Sequence, residues 1–285
     1  MSRLKLKLLI KSLLPPIILE AVRVIRRRTS RSGYRLFYAP RGWSTPLPPR
    51  SELLYESAKV INEERENWAP VIGRARRGSL PLASTDAGAN PATVCGDHNA
   101  YMTFGYVAAL AARHRSSLSI LDYGGNLGYF QSLAKGLLRD VQLDYHCKEL
   151  PAMMRAGREL HPDVTWHVDD ACLDDNYDLV MFNASLQYLQ PWREMLARAS
   201  RASRGYVYVT DLSVITRAPS YVAIQHYVGA TMHYAVINRD DLTSAFRDAN
   251  LHLVREFWVG DHMPIEGGAP EQPAYFGALL QPYAP

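Results

Sequence analysis

The feature that most constrains this sequence is an apolar run that ends in an acid and passes directly into a glycine-rich turn. Residues 117–130 read SLSILDYGGNLGYF, and a helical pattern follows at once. The short apolar run bounded by glycines predicts a buried strand that ends at Asp122. The glycines Gly124, Gly125 and Gly128 let the backbone approach a ligand closely, and the next helix begins with free N–H groups. A nucleotide-like ligand is therefore predicted at this turn.

The acid at the start of the turn separates the candidate ligands. The carboxylate of Asp122 should repel a pyrophosphate but can attract an ammonium group. The glycine spacing also differs from the dinucleotide fingerprint G-x-G-x-x-G, which disfavours an NAD-dependent sugar dehydrogenase. S-adenosylmethionine carries both a ribose and an amino-acid cation, and it is therefore the predicted cofactor.

Polar residues also follow the next three predicted strands. The strand 141–147 is followed by Glu149, about twenty residues beyond Gly128, which is the usual distance from a glycine turn to the carboxylate that binds ribose hydroxyls. Ligands of a doubly wound sheet bind at such strand ends. Three further candidates end the next two strands: Asp169 and Asp170, predicted to contact the adenine edge, and Asn183.

Strands alternate with helices through the second half of the chain. This order predicts a parallel sheet built from right-handed crossovers, and the short link 260–273 permits an antiparallel hairpin at the end. The predicted strands are 118–122, 141–147, 163–168, 177–183, 205–211, 251–258 and 274–281. The predicted helices are 128–138, 151–160, 191–201 and 239–249.

The region before the first core strand is predicted to contain two helices and a loop. Helical spacing covers 51–68 with Ser51 as its N-cap, and Asp97 is the predicted cap of a helix over 98–113. Residues 73–96, rich in Gly, Ala, Ser and Pro, predict a mobile loop or lid. Three regions are thus predicted: a basic arm (1–35), a helical and loop region that covers the site (36–117) and a catalytic core (118–285).

Several of these stretches resemble class I S-adenosylmethionine-dependent methyltransferases: ILDYGGNLG, Glu149, the Asp170–Ala171 pair and YDLVMFNASLQYL. The resemblance implies a Rossmann-like α/β fold with a mostly parallel seven-stranded sheet, an antiparallel edge strand and helices on both faces. More narrowly, DYGGNLGYFQ, KELPAMMRAGREL and ASLQYL resemble a bacterial methyltransferase family. The genes of that family tend to lie among those for surface polysaccharides, and the match extends from residue 33 nearly to the end.

The chain departs from the common methyltransferase turn at one position. That turn reads D/E-x-G-x-G-x-G, and here Asn126 replaces the middle glycine. Asn tolerates left-handed backbone angles better than most residues. The turn is therefore predicted to survive, with Asn126 among the cofactor-binding residues.

Composition and cysteine usage exclude other classes. The 285 residues are 47% apolar and 21% charged, which suits a soluble protein with a sizeable core. The three cysteines are not in metal-ligand spacing, and no C-x-x-C, H-E-x-x-H, P-loop or G-x-S-x-G occurs. We therefore expect no metal, and so few cysteines suggest a reducing, cytoplasmic compartment.

Basic residues are concentrated in the N-terminal arm. Residues 1–35 contain ten Lys or Arg and one acid, a charge of +9, so the remaining chain carries −5. No nucleic-acid partner is expected for such a core. Because Lys11, Pro15 and Pro16 interrupt the apolar runs, the arm falls short of the roughly 18 residues of a membrane span and does not read as a signal peptide. We predict that residues 1–30 bind an anionic membrane surface; packing on the domain or on a second subunit is the alternative.

The acceptor is predicted to bind at a long insert after the fifth core strand, residues 211–237. A methyltransferase aligns its acceptor, excludes water and, for a hydroxyl, removes a proton. Aromatic faces with amide and imidazole groups can stack on and hydrogen-bond a sugar, which predicts a saccharide or similar hydroxylated acceptor. The insert contains these groups: Asp211, Tyr221, Gln225, His226, Tyr227, His233 and Tyr234.

Three residues of the insert are candidates for the base. His233 leads because it lies late in the insert, where the chain returns toward the sheet, and imidazole titrates near neutral pH. His226 comes second, and Asp211 could orient the imidazole or act itself. The predicted function is O-methylation of a sugar hydroxyl in a surface glycan, glycolipid or nucleotide-sugar precursor. The alternative is a non-catalytic binding or scaffold protein with a methyltransferase fold.

Overall fold

The computed structural model describes residues 34–76, 91–261 and 264–283. These residues form twelve strands: β1 (Arg35–Ala39), β2 (Glu52–Leu53), β3 (Ser117–Tyr123), β4 (Gln142–Lys148), β5 (Thr165–His167), β6 (Tyr177–Asn183), β7 (Ser203–Ile215), β8 (Tyr221–Tyr227), β9 (Ala230–Asn238), β10 (Leu251–Asp261), β11 (Ile265–Glu266) and β12 (Ala274–Pro282). They also form six α-helices: α1 (Ala58–Arg76), α2 (Pro91–Ala111), α3 (Tyr129–Leu137), α4 (Pro151–Leu160), α5 (Trp192–Ala202) and α6 (Arg239–Asp248).

Seven strands form a central sheet in the order β5–β4–β3–β6–β7–β12–β10. The strands from β5 to β7 are parallel to their neighbours, whereas β12 is antiparallel to both β7 and β10. After β3 the chain adds β4 and β5 on one side of β3 and then crosses to β6 on its other side. The loops that follow β3 and β6 therefore run in opposite directions and leave a crevice between them. This topology confirms the predicted Rossmann-like fold with its antiparallel edge, and the predicted core strands and helices are present with ends shifted by a few residues.

Alternate side chains of the central strands pack into hydrophobic clusters on opposite faces of the sheet. On β6, Val180 and Phe182 pack with residues of α5 and α6, whereas Leu179 and Met181 pack with residues of α2 and α3. All four are fully buried, as expected for parallel strands that helices cover on both faces. Burial of each such side chain contributes about 1.5–3 kcal/mol. This packing fixes the carboxyl ends of the central strands in place.

The predicted insert forms two strands that extend the sheet. Val214 and Ile215, at the end of β7, pair with β9, and β8 and β9 form an antiparallel hairpin. Its two turn residues, Val228 and Gly229, both have left-handed φ, 51° and 83°, the geometry of a two-residue hairpin turn. A second set of strands is joined to the end of β7 through β9, and we call it the outer extension. It consists of β11, β1, β8, β9 and β2.

The first predicted helix begins later than expected. Residues 52 and 53 pair with β9 as strand β2, so α1 begins at Ala58 rather than near Ser51. The Ser51 hydroxyl donates to the Pro48 carbonyl at 2.7 Å and does not cap the helix. The pairing of β2 with β9 has therefore overridden the helical spacing of the sequence.

The second predicted helix begins earlier than expected. Helix α2 starts at Pro91, so residues 91–96 are helical rather than part of a loop, and Asp97 lies inside the helix instead of capping it. Proline suits a first helical position because its fixed φ is already helical. The rest of the predicted lid, residues 77–90, lies outside the described residues, as does the arm up to residue 33. Among the helices that the structure describes, none combines the length and apolar character of a membrane span.

Candidate functional site

A cavity of about 200 Å³ opens at the carboxyl ends of β3, β4 and β6. Residues from the glycine turn, the ends of β4 and β6, helix α3, the outer extension and the segment before α1 contribute to it. The lining residues are Tyr55, Tyr123, Gly124, Gly125, Asn126, Tyr129, Phe130, Lys148, Glu149, Leu150, Asn183, Ala184, Ser185, Tyr188, Leu189 and Met232. The cavity thus lies where the strand order reverses, the usual ligand position of such sheets.

The turn between β3 and α3 has left-handed backbone at three positions. The angle φ is 79° at Gly124, 54° at Asn126 and 83° at Gly128. A Cβ at Gly124 would lie 2.4 Å from the Ser185 Cβ, and one at Gly128 would lie 2.9 Å from the His161 ring. Both positions therefore need glycine for backbone angle and for space, whereas Asn126 adopts the left-handed conformation that Asn tolerates.

Glu149, predicted to bind ribose, lines the cavity and is held by two backbone amides. The Asn126 N–H donates to Oε1 at 2.8 Å, and the Leu150 N–H donates to Oε2 at 2.9 Å. Burial raises the pKa of the Glu149 carboxyl, while these two amides and Lys148 lower it. Each carboxylate oxygen can accept a further hydrogen bond. The carboxylate is therefore positioned to accept bonds from two neighbouring hydroxyls.

The side-chain carbonyl oxygen of Asn183, at the end of β6, receives no hydrogen bond from the described residues. Its Oδ1 is buried and has no hydrogen-bond partner among the described residues, although Asn183 lines the cavity. Buried acceptors in folded proteins are nearly always hydrogen-bonded. A ligand with a charged donor, such as an ammonium group, would satisfy this oxygen.

Asp122 is not part of the cavity lining. Its fully buried carboxyl accepts a hydrogen bond from the Tyr145 O–H at 2.8 Å, and a Cβ at Gly125 would lie 2.5 Å from its Oδ2. The pKa of Asp122 is raised to about 7, chiefly by burial. The hydrogen bond from Tyr145 lowers this pKa, whereas the charge of Glu149 raises it. At neutral pH the carboxyl is therefore partly protonated, which weakens the attraction for an ammonium group that the sequence suggested.

Asp169 and Asp170 also lie outside the cavity lining. Asp169 is exposed and accepts a hydrogen bond from the Ala171 N–H at 3.0 Å. Asp170 accepts from the Tyr123 O–H at 2.6 Å and lies 3.5 Å from Lys148 Nζ. Because Tyr123 and Lys148 do line the cavity, Asp170 orients two lining side chains. Contact of either acid with adenine stays a prediction.

His233 lies on the opposite face of β9 from the cavity. Neighbouring strand residues point to opposite faces, and Met232 is the one that lines the cavity. The His233 Nε2 lies 2.8 Å from the Thr45 carbonyl oxygen, and its ring contacts Trp43 at 5.5 Å between centroids. The leading candidate base therefore holds the segment before β2 in this structure.

The other two candidate bases also lie outside the cavity lining. The His226 ring, on β8, contacts Phe37 edge-on at 5.0 Å, and burial together with Arg35 lowers its pKa. Asp211, in β7, has a left-handed φ of 53°, and its carbonyl accepts a hydrogen bond from Gln187 Nε2 at 3.2 Å. All three candidate bases thus lie outside the lining of the cavity.

Two tyrosines that the sequence did not single out face each other in the cavity. The hydroxyls of Tyr55 and Tyr188 lie 3.3 Å apart, and the Tyr188 O–H donates to Gln225 Oε1 at 2.7 Å. Burial raises the pKa of Tyr188 to about 12, although both hydrogen bonds lower it. Only the ASLQYL resemblance pointed to the Tyr188 region; Tyr55 had no comparable signal.

The strand order and the cavity define a class: a Rossmann-like α/β protein with a nucleotide-type site at the end of its central strand. The family model of methyltransferase domains matches residues 98–256, more than half of the chain, and the chain belongs to this methyltransferase domain family. It is an S-adenosylmethionine-dependent methyltransferase. Glu149 and Asn183 offer acceptor oxygens, the chemistry that the hydroxyl and ammonium donors of that cofactor require. No curated protein matched the sequence.

Several solved structures are similar to this chain in fold. DesVI of Streptomyces venezuelae is 18% identical over 66% of this chain and 94% of its own, with a TM-score of 0.41. The 1,6-didemethyltoxoflavin-N1-methyltransferase of Burkholderia thailandensis is 15% identical over 84% and 95%, with a TM-score of 0.46. CalS10, an amino pentose methyltransferase of Micromonospora echinaspora, is 15% identical over 64% and 90%, with a TM-score of 0.40.

Proposed function

We propose that this methyltransferase transfers a methyl group to a sugar hydroxyl in a surface glycan, a glycolipid or a nucleotide-sugar precursor. The observation that carries the proposal is the pair of phenols, Tyr55 and Tyr188, whose hydroxyls lie 3.3 Å apart in the cavity. A sugar ring presents apolar C–H faces and hydroxyls, and aromatic rings with O–H groups suit both. Gln225 of the outer extension fixes the Tyr188 hydroxyl. The acceptor would bind on this side of the cavity.

The cofactor would bind on the side of the glycine turn. When bound, S-adenosylmethionine supplies a methyl group on a sulfonium centre. We assign its ribose hydroxyls to Glu149 and its ammonium group to Asn183 Oδ1, which has no other donor among the described residues. Gly124 and Gly125 leave the backbone of the turn accessible because they carry no side chain.

Removal of the hydroxyl proton is the step that the residues of the cavity support least. Because the pKa of the Tyr188 phenol is raised to about 12, the phenol stays protonated at neutral pH and acts as a hydrogen-bonding group rather than as a base. His233 is already bonded to the Thr45 carbonyl. We therefore attribute most of the rate enhancement to alignment and exclusion of water, which can supply several powers of ten. His226 and Asp211 stay candidates for a base, although neither lines the cavity.

A transfer assay with isotopically labelled S-adenosylmethionine tests the proposal. Nucleotide sugars and lipid-linked saccharides serve as acceptors, and mass spectrometry of the product identifies the methylated atom. We expect label on a hydroxyl oxygen and a roughly tenfold lower kcat/KM for the acceptor in Tyr188→Phe, which loses a hydrogen bond, with an unchanged cofactor Kd. Methylation of nitrogen would contradict the O-methyl assignment. Cofactor binding without transfer to any saccharide would favour the scaffold alternative.

The basic arm supports a second part of the proposal, a peripheral contact with membrane. Its charge of +9 over residues 1–35 and about 1 kcal/mol per cation near an anionic surface give firm but salt-sensitive binding. Flotation with anionic liposomes compares the full chain with a variant that lacks residues 1–30. Equal flotation of both forms, or of neither, would refute this contact.

A further inference from the structure

One carboxylate beside the glycine turn has no role in the proposed function. Glu64, on α1, accepts a hydrogen bond from Asn126 Nδ2 at its Oε2, at 3.0 Å. Its backbone carbonyl accepts another from the Tyr129 O–H at 3.1 Å, and Tyr129 is the first residue of α3. A single residue of α1 is therefore bonded to the turn and to the helix that follows it.

Asn126 connects this carboxylate to the predicted ribose ligand. Its side-chain amide donates to Glu64, while its backbone N–H donates to Glu149 Oε1 at 2.8 Å. The glycine that the common methyltransferase turn has here would keep the second bond and lose the first. The departure from that turn thus adds a link between α1 and the cofactor side of the cavity.

We propose that Glu64 is a positioning residue that acts through Asn126 to hold the Glu149 carboxylate in its ribose-binding orientation. The inference rests on the proposed assignment of Glu149 to the ribose. Its physical basis is the left-handed backbone of Asn126, with φ of 54°, a conformation that L-residues adopt at an energetic cost. The bond to Glu64 stabilises this conformation and with it the direction of the Asn126 N–H.

A role of Glu64 in docking α1 alone would have different consequences. Helix α1 is also held by Arg65, which pairs with Glu159 on α4, and by Trp68, whose ring lies edge-on to His161 at 5.4 Å. Arg65→Ala removes one of these contacts without touching the turn, and it is therefore the matched control. Glu64→Gln keeps an acceptor oxygen for Asn126 and should behave like the wild type.

Two readouts test the inference in the full chain. Calorimetry gives the Kd for S-adenosylmethionine, and hydrogen exchange of the protein without cofactor reports the Asn126 amide. We expect Glu64→Ala to raise the Kd about tenfold, the effect of losing the one side-chain hydrogen bond that holds Asn126, and to speed exchange at the turn at least tenfold. Glu64→Gln and Arg65→Ala should stay within about twofold of the wild type in both readouts. In an Asn126→Gly background, Glu64→Ala should change neither value more than about twofold, because the link is already absent.

The outcomes separate this inference from the proposed function. Equal effects of Glu64→Ala in both backgrounds, or exchange at the turn that does not change, would overturn the positioning role whatever the cofactor affinity. Faster exchange with an unaltered Kd would retain the link but overturn its action on cofactor binding. A wild-type protein that does not bind S-adenosylmethionine would overturn the cofactor assignment and this inference's ribose role, while exchange would still decide whether Glu64 fixes the turn.

Discussion

Replacement of Gly124 by alanine tests whether this glycine is required by the protein or by the ligand. The sequence indicates that the glycines of this turn let the backbone approach a ligand closely, and on that ground a side chain at Gly124 would enter the path of the cofactor. The structure shows that a Cβ there would first meet Ser185, at 2.4 Å from its Cβ. We therefore expect Gly124→Ala to lower the free energy of unfolding, in addition to any effect on cofactor binding.

The expected loss has two parts. Alanine at a φ of 79° would be strained by about 1–2 kcal/mol, the penalty of left-handed backbone for L-residues. Overlap with Ser185 adds about 1–3 kcal/mol, as for an extra methyl group in a packed interior. The sum is about 2–5 kcal/mol, a large fraction of the stability of an ordinary domain.

Two variants separate these parts. Gly42 also has a left-handed φ, 59°, but no heavy atom lies within 4 Å of an added Cβ, so Gly42→Ala should lose only the strain energy. Ser185→Gly removes the atom that overlaps, although it also removes the hydrogen bond from Ser185 Oγ to the Tyr123 carbonyl. In the Ser185→Gly background, Gly124→Ala should therefore lose only about 1–2 kcal/mol.

Urea denaturation measures each free energy of unfolding, and calorimetry measures cofactor affinity at a temperature where every variant is folded. A loss in Gly124→Ala no larger than in Gly42→Ala would refute the overlap with Ser185. A folded, stable Gly124→Ala protein with weakened cofactor binding would restore the interpretation drawn from the sequence.

Three further outcomes are expected. Glu149→Gln should raise the Kd for S-adenosylmethionine at least about tenfold, because charge-assisted hydrogen bonds become neutral ones. The control is Glu159→Gln, at an exposed position, which should leave the Kd unchanged in the same calorimetric titration. His233→Ala should keep turnover within a few-fold in the transfer assay but lower the melting temperature, since it loses the bond to the Thr45 carbonyl; a hundredfold loss of turnover in a folded protein would reinstate His233 as a base. The backbone N–H groups of 216–218 hold the pKa of Glu271 at about 2, so its stabilising contribution is present above pH 4.5 and is lost as pH falls toward 2. Glu271→Gln should thus be about 1–2 kcal/mol less stable in urea at pH 7 and approach the wild type near pH 2; a difference independent of pH would contradict this.

The core of the fold could be predicted from the sequence because its signals are local. The apolar run before Gly124 and the glycines after it specify a strand and a turn that need no distant partner to be recognised. The same holds for α4, predicted and observed at 151–160, where Pro151 supplies a helical φ at the first position. Regular alternation of such segments then leaves few topologies, and the observed sheet is the one that right-handed crossovers favour.

Positions within the site depended on contacts between distant residues. The helical spacing near Ser51 was overridden because residues 52 and 53 found backbone partners on β9, and no local pattern shows that partner. The hairpin turn with Val228 escaped prediction because valine rarely adopts a left-handed φ, and strand pairing on both sides imposes it here.

Short-range spacing in the sequence is enough to specify the parallel core, the glycine turn and the order of polar residues at the strand ends. The tertiary structure decided which of these residues line the cavity. On β9 the two-residue period of a strand places Met232 at the cavity and His233 against Thr45 and Trp43. Which face of β9 meets the site depends on how the outer extension pairs with β7, and that register is set by contacts distant in the chain.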